Sequence, residues 1–162
     1  MALIFSPSIT KLMATSGIAS ILSPNYTTPT AITIYSGAQP TAADFIANWL
    51  TYTSSNANCL AHFNGCVWQV QPAGSLLTQV ATYPTATPAY SDTAAWAILW
   101  CNMDVKASQM TGSVIPTTEF FVVPVSDTTG TGIIRFESTA FAAGTAISIL
   151  DASILTNFVP GV

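Results

Sequence analysis

Cys59-x2-His62-x3-Cys66, with Cys101 further along the chain, is the sharpest chemical signal in the sequence, because thiolates and an imidazole are the ligands that hold a zinc ion. Zinc sites are usually built from two tight ligand pairs. Here one irregular cluster is joined by a cysteine inside an apolar run, and a buried thiol there packs as a small hydrophobe. The residues are therefore read as metal-free, with His62 in a loop and satisfied by backbone or water, and no cofactor is expected. Three cysteines are an odd count, so at least one thiol is free or pairs elsewhere.

Acid–base chemistry needs paired carboxylates or a base held against a nucleophile. The carboxylates Asp44, Asp92, Asp104, Glu119, Asp127, Glu137 and Asp151 are scattered, there is one histidine, and no G-x-S-x-G elbow is present. The reading is of a protein that is not an enzyme. Arg135 and Glu137, two residues apart, are expected to project from one face of a strand. Tyr52, Trp68, Tyr83 and Tyr90 offer rings for a sugar-binding platform, against the plainer reading of core or subunit interface. Asn25-Tyr26-Thr27 matches a glycosylation acceptor and is read as linker.

The balance of the chain points to assembly. Charged residues are 6% of 162, against about 25% in an ordinary soluble domain, and Ser and Thr fill about a quarter of the positions. A hydroxyl and alanine surface dissolves through hydrogen bonding but carries little repulsion between copies. A mean hydropathy of +0.50 implies apolar area left exposed on a lone chain, so a homo-oligomer is expected. With a net charge of −4 and Lys11, Lys106 and Arg135 as the basic residues, there is no footprint for nucleic acid. The longest apolar run, Ala94 to Cys101, falls far short of the roughly 20 residues of a membrane helix, so no membrane partner is expected. Met1 to Phe5 is apolar but meets Ser6-Pro7 at once, a poor fit to a signal peptide.

These residues need a scaffold, and the pattern predicts an all-β one: an antiparallel β-sandwich with a short N-terminal helical arm. Residues 1–29 read as arm and linker and residues 30–162 as the sandwich. Ser6-Pro7 starts a helix to about Ser16, with Ile9, Leu12 and Met13 at helical spacing and Gly17 as the stop. Ile9, Leu12, Met13, Ile18, Ile21 and Leu22 give the arm more apolar surface than a free tail carries, which marks them as a partner interface. Ser23 to Thr30 is a proline-bearing linker. Ile32 and Ile34 then alternate with Thr33 and Tyr35 in a half-buried strand that ends at Ser36-Gly37, and Thr41 caps a helix over residues 42–50. Further strands are expected at 66–71, 76–82, 94–101, 119–125, 132–137 and 145–150, with Ala94 to Trp100 central and Pro124 marking an edge or bulge.

Ile34-Tyr35-Ser36-Gly37-Ala38-Gln39-Pro40, followed by an Ala-rich acidic segment, resembles short virion proteins of tailed bacteriophages in which a strand ending I-Y-S/T-G-x-x-P opens a β-domain. A Trp-bearing strand in an Ala-rich context and a closing strand, Ala-Gly turn and strand follow in the same order here, at Ala94 to Trp100 and Phe141 to Ile149. The resemblance extends over about three quarters of the chain by order of elements, and its motifs are turn and strand chemistry that unrelated β-proteins share. It implies a virion structural protein that decorates and cements a phage capsid, its partners the major capsid protein or other virion subunits. A neck, tail or fibre component of the same particle is the alternative, and a carbohydrate-binding module the alternative of a different class.

Overall fold

The computed structural model describes residues 4–5, 30–48, 58–66, 68–70, 76–79, 84–100 and 120–155. Its strands are β1 (Ile4–Phe5), β2 (Thr30–Ser36), β3 (Cys59–Cys66), β4 (Trp68–Val70), β5 (Leu76–Gln79), β6 (Thr85–Ala86), β7 (Asp92–Trp100), β8 (Phe120–Ser126), β9 (Ile134–Arg135), β10 (Ala140–Phe141), β11 (Ile147–Ser148) and β12 (Asp151–Leu155). One helix, α1 (Ala42–Ala47), stands among them. The chain is all-β. Ten strands form one curled sheet in the order β3-β2-β7-β8-β9-β12-β5-β4, with β1 on β8 and β10 on β7, and β6 and β11 pair separately. The expected helix and partner residues Ile9, Leu12, Met13, Ile18, Ile21 and Leu22 lie outside the described residues.

The sheet is mixed, not purely antiparallel as expected, because β8 and β9 run parallel with Val125 opposite Ile134 and Ser126 opposite Arg135. A parallel pair ordinarily needs a crossover of a dozen residues or more. Here residues 127–133 suffice, since the turn is tied internally. The Asp127 carboxylate accepts from the Thr129 amide at 2.9 Å, the Thr129 hydroxyl at 2.7 Å and the Gly130 amide at 3.1 Å, and these bonds, the Thr129 hydroxyl's first, hold its pKa below the usual carboxylate value. Ser126 Oγ accepts from the Gly132 amide at 2.9 Å, and a Cβ on Gly132 would lie 2.5 Å from the Ser126 backbone nitrogen. Glycine is required there by space.

Pro124 sits inside an interior strand, opposite Trp96, which corrects the expectation of an edge. A strand residue points its nitrogen and carbonyl to the same side. The Pro124 carbonyl accepts from the Ile133 amide at 3.0 Å, so its donorless nitrogen faces away from β7 and removes no bond from the β7 ladder. It falls between the pairings of β1, at Phe121 and Val122, and of β9, which begin at Val125.

The core lies on both faces of β7. Trp96, Ile98 and Trp100 join Tyr35, Phe120, Val122 and Phe45 of α1 on one face, while Ala97 and Leu99 join Ile32, Ile34, Phe63, Phe121 and Val123 on the other. β2 is thus buried on both faces rather than half-buried: Tyr35 stacks on Trp96 with centroids 4.3 Å apart, and Thr33 is fully enclosed. Gly37, at φ 78°, turns the chain out of β2 in a conformation that costs glycine little. α1 then starts as its cap predicts, with Thr41 Oγ1 accepting from the Asp44 amide at 3.2 Å and Asp44 in the first turn.

Candidate functional site

β3 places the Cys59, His62 and Cys66 cluster on a strand, not a loop, and so separates it. His62 lies opposite Thr33 and Cys59 opposite Tyr35, on the face that packs on Trp96 and Trp100, whereas Cys66 belongs to the opposite core with Phe63 and Leu99. Burial pushes the Cys66 thiol up to about 12, which keeps it protonated and poorly suited to bind a metal or attack an electrophile. Among the described residues, no three His, Cys, Asp or Glu side chains converge on one point. Cys101 lies outside them.

His62 takes part in a polar chain instead. Trp100 Nε1 donates to the enclosed Thr33 Oγ1 at 3.0 Å, and Thr33 Oγ1 lies 2.9 Å from His62 Nδ1. The threonine oxygen thus receives the indole proton on one side and is hydrogen-bonded to the imidazole on the other. The chain joins β7, β2 and β3 and satisfies the buried indole. Nearby, burial and the adjacent Cys59 raise the Tyr35 phenol well above its ordinary value, so it stays neutral.

Among the described residues, Asp44, Asp92, Asp127, Arg135 and Asp151 are engaged in local structure. Asp44 accepts from Asn48 Nδ2 at 2.9 Å, Asp92 from the Thr93 amide at 2.7 Å, and Asp127 holds the β8–β9 turn. Arg135 pairs with Asp151 across the β9–β12 register, which corrects the expected Arg135–Glu137 pair: Glu137 lies beyond the end of β9 and is exposed. Of the aromatic platform, Tyr90 is half exposed, the Trp68 side chain is not described, and Tyr52 and Tyr83 lie outside the described residues.

A groove of about 450 Å³ runs along residues 136–150. Phe136 and Phe141, edge to face with centroids 5.0 Å apart, form part of its lining with Ile147, Ile149 and Leu150, and Glu137 is the single charge among its walls. The segment is pinned from outside: Gly144 N donates to the Pro88 carbonyl at 3.0 Å, Ala143 N to Ser91 Oγ at 2.9 Å, and Leu150 N to the Arg135 carbonyl at 2.8 Å. Phe136, Phe141 and Ile149 are themselves buried in the core, so the accessible walls are mixed polar and apolar, with one carboxylate. Reading the sequence missed this groove; its signal was the apolar set Phe136, Phe141, Ile147, Ile149, taken there as strand core.

No protein family matches this chain, and neither the curated proteins nor the solved structures compared with it yield a match.

Proposed function

We propose that the chain is a non-enzymatic structural subunit of a phage particle, decorating and cementing the capsid through contacts with neighbouring subunits. The observation that carries this reading is how little charge the protein holds and where it is used. With 6% charged residues, Asp44, Asp92, Asp127 and the Arg135–Asp151 pair are engaged in a helix turn, a strand start, a tight turn and a strand pair. Ten charged side chains on 162 residues leave most of the surface to uncharged groups. Leu150 and Tyr90 are large side chains exposed on the surface, and Leu150 also lines the groove. The apolar arm residues supply the complementary half: burying four or five of them would contribute about 5–10 kcal/mol before the entropy of ordering the segment is subtracted.

β1 belongs to the sheet, so the test keeps it. Ile9, Leu12 and Met13 are replaced together by Ser, with residues 1–8 intact, and particles are assembled with either protein. The variant chain is expected to fold and to leave particles with less of it bound and with lower resistance to heat. Particles of undiminished stability, carrying the variant in full amount, would contradict the reading.

A further inference from the structure

Residues 136–150 leave the sheet as one long loop. Its base is closed where the Leu150 amide donates to the Arg135 carbonyl at 2.8 Å, and its tip turns where the Thr145 amide donates to the Ala142 carbonyl at 3.2 Å. Between base and tip the arms pair outward: β10 lies on β7, with Ala140 opposite Thr93, and β11 lies on β6, with Ile147 opposite Ala86. No ladder joins β10 to β11 among the described residues, and the groove of about 450 Å³ is lined by both arms. Its shape is set before anything enters it. The outward ladders hold the arms, and the Gly144 and Ala143 amides hold the tip on Pro88 and Ser91.

The accessible walls differ in chemistry. Ile147 is half-buried and Leu150 exposed, so aliphatic surface is within reach of solvent, while Glu137 and Ser148 are exposed and polar. Glu137 also differs from the other described carboxylates. Asp44, Asp92, Asp127 and Asp151 each accept a hydrogen bond from their own surroundings, whereas Glu137 makes no hydrogen bond or ion pair among the described residues. Arg135, two residues away, is held by Asp151.

We propose that the groove seats a lysine or arginine side chain of a different protein, the methylene stem against Ile147 and Leu150 and the charged head at Glu137. Such side chains lay their stems on apolar surface and keep the charge at a polar edge, which is the combination these walls offer. A volume of about 450 Å³ lies within the ~300–1,000 Å³ of small-ligand sites and has room for one such side chain with its backbone. The charge balance decides whose side chain it is. This chain carries seven carboxylates and three basic residues, so a second copy brings surplus negative charge to Glu137, and a partner rich in lysine or arginine is the complement. The site stands on the groove and its charge, and holds whether or not the chain belongs to a phage particle.

Small probes read this chemistry. The ¹⁵N-labelled full-length chain is titrated with Nα-acetyl-lysine methylamide, Nα-acetyl-arginine methylamide and, as the neutral match, Nα-acetyl-norleucine methylamide, and the amide shifts are followed by NMR. Expected are saturable shifts at Ser138, Ala140, Ile147 and Ser148 with millimolar dissociation constants for the two cations, and binding about two- to fivefold weaker for norleucine, for the Glu137→Gln chain, and for wild type in about 0.5 M salt. Glu137 is exposed, so the variant is expected to fold. Equal binding of norleucine and lysine, cation binding unaltered in Glu137→Gln, or no saturable shift at these amides would overturn the site. Shifts at the same amides on concentrating the wild-type chain alone, lost in Lys11→Gln/Lys106→Gln, would put a second copy there and overturn the choice of partner. Failure of the site leaves the virion reading standing, since that reading is tested on particles.

Discussion

Replacing Thr33 by Val tests whether the polar chain Trp100–Thr33–His62 organises the core. Valine has nearly the same shape, so the loss is chiefly that of the hydroxyl. Trp100 is fully buried and its Nε1 donates to Thr33 Oγ1 at 3.0 Å, so the variant leaves an indole N–H without its acceptor, a cost of about 1–3 kcal/mol. His62 is half-buried and can turn its Nδ1 to water, which limits its share to about 1 kcal/mol. The sum is about 2–4 kcal/mol. Thr33→Ser, which keeps the hydroxyl and loses one buried methyl, should cost about 1 kcal/mol. Urea unfolding followed by far-ultraviolet circular dichroism measures both, and Trp100→Phe completes a cycle in which about 1–2 kcal/mol of coupling to Thr33→Val is expected. A Thr33→Val protein within about 0.5 kcal/mol of wild type, or a strictly additive cycle, would refute the reasoning.

Burial raises the Cys66 thiol from 9.0 to about 12, so on alkaline titration the unfolded chain loses its proton first; stability is whole below about pH 9 and falls by about 1.4 kcal/mol per pH unit from there to about 12. Urea midpoints at pH 8 and pH 10.5 should therefore show wild type losing about 2 kcal/mol more than Cys66→Ala, and parallel losses would mean the thiol is not enclosed. Gly132→Ala drives a Cβ to within 2.5 Å of the Ser126 nitrogen and 2.7 Å of the Val125 carbonyl carbon, backbone atoms that cannot step aside, and should destabilise by at least about 2 kcal/mol. Gly144→Ala, with open space but a φ of 77°, should cost about 1 kcal/mol, and thermal melts of the two variants check the order.

The parts of the fold that were legible are those in which local pattern and tertiary contact agree. Ile32 and Ile34 ending at Ser36-Gly37, the both-sided apolar run Ala94 to Trp100, and the Thr41 cap with Asp44 in the first turn each appear at their expected place. β3 was not legible, since Cys-Leu-Ala-His-Phe-Asn-Gly-Cys carries His, Asn and Gly, which locally favour turns; the ladder with β2 overrides them. Thr33 lies on the face of the strand that was expected to stay unburied. It is enclosed because its hydroxyl is bonded on both sides, which alternation cannot encode. The parallel β8–β9 pair depends on side-chain bonds inside a short turn, and the groove on amides of residues 143 and 144 reaching Ser91 and Pro88. Neither leaves a periodic trace.

The most direct test of the proposal that this chain decorates a phage capsid is to quantify it in purified virions by mass spectrometry against the major capsid protein. The decoration reading predicts a copy number of the same order as the capsid lattice subunits, with the chain resolved as density on the outer surface of the head. Its absence from washed particles would contradict a virion role, and a copy number far below that of the lattice would contradict decoration in favour of the neck, tail or fibre.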